Sequence, residues 1–220
     1  MSTTTQQVFE KLLASYGPQH WWPGDSPLEV MIGAVLVQNT AWKNVERAID
    51  NLRAANLLDA EKILALEDAQ LEDLIRPAGY FRRKAVRLRR LLEFFVHEYG
   101  GSIAAMQASD VHSLREGLLG VSGVGPETAD AILLYALEKT VMVVDAYTHR
   151  VFARHGWVPY DFDYHQLQDH VLSELPVDAA TYNELHALLV QVGKDFCRKA
   201  PRCEQCPLVE MLPDAGMVQD

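Results

Sequence analysis

The stretch Leu118–Leu133, LLGVSGVGPETADAIL, decides the fold. A helical run stops, Gly123-Val124-Gly125 turns the chain, and Pro126 opens a second run at Thr128-Ala129. This is a helix-hairpin-helix pattern. Glycine reaches φ > 0 without strain and lets another backbone come close. Proline suits the first helical position, whose amide would have no intrahelical acceptor anyway. The remaining amides at that helix start also lack intrahelical acceptors and lie at the positive end of the dipole. A phosphate oxygen fits there. Val124 is expected to plug the turn from inside, with Gly123, Gly125 and Thr128 around the bound phosphate. An ordinary corner between two helices is the plainer alternative.

Outward from the turn the periodicity is helical almost throughout. Apolar residues at 8, 9, 12, 13 and 16 mark one amphipathic helix, closed by Gly17-Pro18. Ser26 and Pro27 read as N-cap and N1 of a run that continues to Asn56. Further helices are expected at 59–65, 69–76, 82–99, 109–118, 126–138, 145–155, 163–174 and 178–195. TVMVVD, Thr140–Asp145, is β-branched but isolated. It reads as a buried extended link or the approach to a helix. The expected class is all-α.

The chain has 220 residues, 49% of them apolar, which is enough to bury a core. No apolar run reaches the 18 residues of a membrane helix, and Met1–Gln7 lacks the basic start of a signal peptide. A soluble, cytoplasmic, nucleoid-associated protein and a monomer are the default expectations. The net charge of −10 argues against nonspecific nucleic-acid binding. Yet YFRRKAVRLRR, Tyr80–Arg90, holds six cations and no acid. It is either a solvated helix face or a local phosphate-docking stripe.

With GVGPETADAIL followed by VVDAYTHRVFAR, the sequence resembles the endonuclease III superfamily of DNA glycosylases, the helix-hairpin-helix, Gly/Pro-Asp group. The resemblance extends to GAVLVQNTAWKNVERAI, IRPAGYFRRKAVRL and VGKDFCRKAPRCEQCPL, about residues 20 to 208. WWPG, QNTAW, RPAGYF and ETADAILLYA place it nearest the bacterial 3-methyladenine DNA glycosylases. The resemblance implies a two-lobed fold with a cleft for double-stranded DNA between the lobes. One lobe would be 24–134 with the hairpin; the other would be 1–23 plus 135–220 with the cysteine loop.

It also implies a division of labour among residues. Asp145 matches the catalytic aspartate, which stabilises an oxocarbenium-like sugar and assists a water. Members that also cut the strand carry a lysine for a Schiff base where this chain has Glu127, and a carboxylate forms no imine. That departure implies a monofunctional glycosylase. Trp21, Trp22, Pro23 and Trp42, with Lys194, match positions around the pocket for an extruded base, where stacking and cation–π contacts favour a cationic alkylated purine. Tyr147 and His149 are weaker neighbours. Gln38 matches the side chain that fills the gap in the duplex. Tyr80 matches the wedge, and Arg82, Arg83 and Lys84 would hold phosphates. The alternatives are a glycosylase for oxidised or mismatched pyrimidines and a noncatalytic DNA-structure binder.

Cys197-x5-Cys203-x2-Cys206 is close to the family's four-cysteine iron–sulfur loop. The fourth cysteine is missing near Leu212. Three readings stand: an iron–sulfur cluster completed by Asp195, Asp214 or water, a zinc site, or reduced free thiols.

Overall fold

The computed structural model describes residues 4–21 and 24–219, so Trp22 and Pro23 lie outside the described residues. Among the described residues there are helices and no strands. The chain divides into two units, Met1–Trp21 with Thr140–Asp220, and Trp22–Lys139.

Among the described residues the second of these holds eight α-helices: α2 Pro27–Leu36, α3 Trp42–Ala54, α4 Ala60–Leu64, α5 Asp68–Ile75, α6 Phe81–Tyr99, α7 Ile103–Ala108, α8 Val111–Gly120 and α9 Pro126–Ala131. α2 is the core helix. All of Glu29 to Leu36 is buried, so it shows no polar face. Ser26 caps it by accepting from the Glu29 amide at 3.2 Å, and Glu29 itself is paired with Arg53 at 3.0 Å. The run expected to continue to Asn56 breaks after Leu36. Asn39 sits at φ 55°, and short polar Asn tolerates the left-handed region that ends a helix. α9 continues into a π-helical segment, Ile132–Ala136.

The other unit packs α1 Thr4–Tyr16, α10 Ala146–Arg154, α11 Tyr164–Ser173 and α12 Ala179–Asp195. Met142, Val143 and Val144 are buried in the extended link that leads into α10. α10 and α12 approach closely because residue 193 is glycine: a Cβ there would lie 2.4 Å from Tyr147 Cδ1.

Candidate active site and nucleic-acid interface

The hairpin is built from α8, the turn and α9. Its glycines differ. Gly123 has φ +101°, and a Cβ would meet Arg87 Cγ at 2.4 Å. Gly125 is extended at φ −98°, ψ 179°, as N-cap of α9, and a Cβ there meets nothing within 4 Å. Gly123 is therefore required by the fold, whereas Gly125 leaves the approach to the helix amides open. Val124 is 6% exposed and fills the inside of the turn. Behind it, buried Asp130 accepts a bidentate pair from Arg115, Nε at 2.6 Å and Nη2 at 3.0 Å, which locks α8 to α9. Glu127 is exposed in the first turn of α9.

Gln38 and Thr128, both expected to touch DNA, hydrogen-bond to each other at this hairpin. Gln38 Nε2 donates to Gly123 O at 3.1 Å and to Thr128 Oγ1 at 3.0 Å, and Gln38 Oε1 accepts from Arg87 Nη1. Its amide is thus a brace rather than a free group facing a duplex, and the Thr128 hydroxyl, on a residue only 8% exposed, is taken up by it. Lys84 is the clearest correction. It is 1% exposed, and its ammonium donates to Leu36 O and Ala78 O, both at 2.8 Å. Burial, followed by repulsion from Arg87, lowers its pKa to about 8. It joins α2 to the loop before α6 and holds no phosphate in this arrangement. The positions 84, 88, 91 and 95 form the apolar face of α6, and Lys84 lies on it.

The rest of the basic stretch behaves differently. Arg82, Arg83, Arg87 and Arg90 line one open groove with Val86, Ser122 and Gly123. Arg90 Nη1 reaches Ser122 Oγ at 2.8 Å, and Arg82 lies 3.6 Å from Glu72. Arg87 and Arg90 belong to the basic stripe read from the sequence, and their i, i+4 and i, i+7 spacing from Arg83 puts them on its face. Tyr80 stands at the head of α6, 68% exposed and in the left-handed region at φ 46°. A bulky non-glycine residue there is uncommon, and an exposed aromatic held that way points to a use beyond packing.

In the other unit, Asp145 is the N-cap of α10. Its Oδ1 accepts from Thr148 N at 2.8 Å and Thr148 Oγ1 at 3.1 Å. Its Oδ2 faces His186 Nε2 of α12 at 3.7 Å, with the two side chains 12% and 7% exposed. Burial alone would raise the carboxyl pKa. The imidazole of His186 facing Oδ2, then the amide and hydroxyl of Thr148, outweigh it and leave the pKa lowered. The acid is thus held as a carboxylate. His186 was not found from sequence, although it lies one heptad before Gly193 on α12, the residue on which Tyr147 packs. Lys194, next along, places Nζ 5.4 Å from the Trp21 ring centroid. Trp42, half-buried at the first position of α3, belongs to the other unit.

The cysteine loop brings Cys197, Cys203 and Cys206 around one small cavity. Leu212, at the expected fourth position, lines the same small cavity as Cys197, Cys203 and Cys206, together with Phe196, Val209 and Met217. Among the described residues no group of three or more His, Cys, Asp or Glu is placed to hold a metal ion. The residues do not fit a four-cysteine cluster. The loop is instead tied to α10 by Arg150 Nε to Cys197 O at 2.6 Å and Arg154 Nη1 to Arg198 O at 2.6 Å.

With this geometry in place, comparison with known proteins gives the family. The model for the HhH-GPD superfamily base excision DNA repair proteins matches residues 32–176. A putative DNA repair glycosylase of Methanocaldococcus jannaschii is 46% identical over 205 residues, 93% of each chain. Endonuclease III of Thermotoga maritima is 31% identical, over 82% of this chain and 79% of the relative. Among solved structures, the H. pylori 3-methyladenine DNA glycosylase bound to 1,N6-ethenoadenine superposes with a TM-score of 0.73 at 30% identity, covering 85% of this chain and 97% of that one. The chain belongs to the HhH-GPD superfamily and is a DNA repair glycosylase of that family.

Proposed function

We propose that this member of the HhH-GPD superfamily hydrolyses the N-glycosidic bond of alkylated purines in double-stranded DNA, without cutting the strand. The observation that carries the reading is Asp145: half-buried, with one oxygen committed to its helix cap and the other facing His186. A positioned carboxylate of this kind can stabilise an oxocarbenium-like sugar and take a proton from the attacking water. As the bond from sugar carbon to base breaks, its electrons leave with the base. The water oxygen joins the same carbon, and its proton passes to Oδ2.

The amine needed for a Schiff base is absent from the hairpin slot, where Glu127 stands. On the DNA side, the amides around Gly125 and the groove of Arg82, Arg83, Arg87 and Arg90 would hold consecutive phosphates. Tyr80 would wedge the stack. Trp21, beside the Lys194 ammonium, would supply a stacking surface for the extruded base. The choice of alkylated purine is supported by these aromatic positions and by the similarity to the H. pylori 3-methyladenine enzyme. No step passes through a metal. The comparable similarity to the Thermotoga endonuclease III keeps oxidised or mismatched pyrimidines as the second reading.

Mass-spectrometric profiling of bases released from alkylated and from oxidised DNA tests the choice. Release of methylpurines is expected; release of oxidised pyrimidines alone overturns it. Borohydride trapping tests the absence of strand cleavage, which a covalent protein–DNA adduct would contradict.

A further inference from the structure

The carboxylate of Asp145 has two oxygens in different situations. Oδ1 is saturated by the Thr148 amide and hydroxyl, at 2.8 and 3.1 Å. That leaves Oδ2 as the oxygen available to chemistry, and the group facing it is an imidazole that no part of the mechanism above uses. His186 sits inside α12, 6% exposed, with Nε2 at 3.7 Å from Oδ2. Catalytic hydrogen bonds are often this long before substrate closes the site. The placement depends on a close approach of helices: Gly193, seven residues on, admits Tyr147 against α12, and Tyr147 is two residues after Asp145. Any side chain at 193 would push α10 and its capping aspartate away from His186.

We propose that His186 is a positioning residue for Asp145, fixing Oδ2 toward the sugar while the other oxygen caps α10. It acts through the carboxylate and touches neither base nor phosphate. Losing it therefore slows base release and leaves DNA binding alone. The inference rests on the proposed role of Asp145, and the experiment separates the two.

The full-length protein and its Asp145→Asn, His186→Ala, His186→Asn and His186→Gln variants are compared on a duplex carrying a lesion the native protein releases. Single-turnover release rates and DNA dissociation constants are measured at a temperature where circular dichroism shows every variant folded. For His186→Ala the rate is expected to fall roughly 10- to 100-fold, the rate equivalent of one hydrogen bond to a charged group, with the dissociation constant unchanged. His186→Asn or His186→Gln, each keeping a donor, is expected to recover most of it. A His186→Ala rate equal to the native one, a parallel loss of DNA affinity, or no recovery in either amide variant overturns the positioning role while leaving Asp145 in place. If instead Asp145→Asn releases base at the native rate, the reading of the site itself fails.

Discussion

Replacing each glycine of the hairpin by alanine separates what the fold demands from what the ligand demands. At residue 123 the backbone has φ +101°, and the new methyl would lie 2.4 Å from Arg87 Cγ. Forcing an L side chain into a left-handed conformation costs about 1–2 kcal/mol. Moving the Arg87 stem also breaks its hydrogen bond to Gln38, and such a bond contributes about 1 kcal/mol net. Together these give a loss of about 2–3 kcal/mol for Gly123→Ala, which at this chain length is a fall of about 5–10 °C in Tm. At residue 125 the backbone is extended and the space is open. Alanine caps a helix less well than glycine, but it also reduces the entropy of the unfolded chain. The two nearly cancel, so Gly125→Ala should change stability by less than about 0.5 kcal/mol. Its methyl nevertheless stands where a phosphate would approach the α9 amides. An approximately tenfold weaker DNA affinity is expected, equivalent to about 1.4 kcal/mol. Differential scanning calorimetry and fluorescence anisotropy with a labelled duplex give both quantities. Unchanged DNA affinity in Gly125→Ala would refute the phosphate-binding turn. Unchanged stability in Gly123→Ala would refute the brace through Arg87 and Gln38.

Asp130→Asn should lower stability by about 3 kcal/mol, because it leaves Arg115 facing a neutral partner in a buried pair; a urea midpoint within error of the native one would contradict it. Lys84 has a folded pKa of about 8, below its unfolded value, so the unfolded state binds more protons between the two. Native stability should therefore rise relative to Lys84→Met as pH climbs from about 8 to 10.4; a flat difference across that window would show that the ammonium is not buried. Charge reversal of Arg83 and Arg90 should weaken DNA binding and flatten its salt dependence by about two phosphate contacts, while reversal of Glu98, exposed in the last turn of α6 and outside the groove, should do neither. The cysteine loop should leave the purified protein colourless and without stoichiometric iron, which visible absorption and elemental analysis decide.

The hairpin and several helix starts were legible because they depend on local chemistry: glycines, Pro126, and caps such as Ser26 and Asp145. Asp145 was legible as both cap and candidate acid for the same reason. Lys84 was misread because consecutive cations look alike in sequence, although one of them falls on the buried face of α6. α7, only six residues long, escaped notice despite its Ser102 cap. Gln38 and His186 were beyond a local reading. The partners that define them, Gly123 and Asp145, are 85 and 41 residues away along the chain, and only folding brings them together.

The most direct test of the account is the single-turnover rate of base release by Asp145→Asn at saturating lesion duplex, with the dissociation constant measured in parallel. The account predicts a rate at least about 100-fold below native with DNA affinity preserved. A native rate in that variant would contradict it.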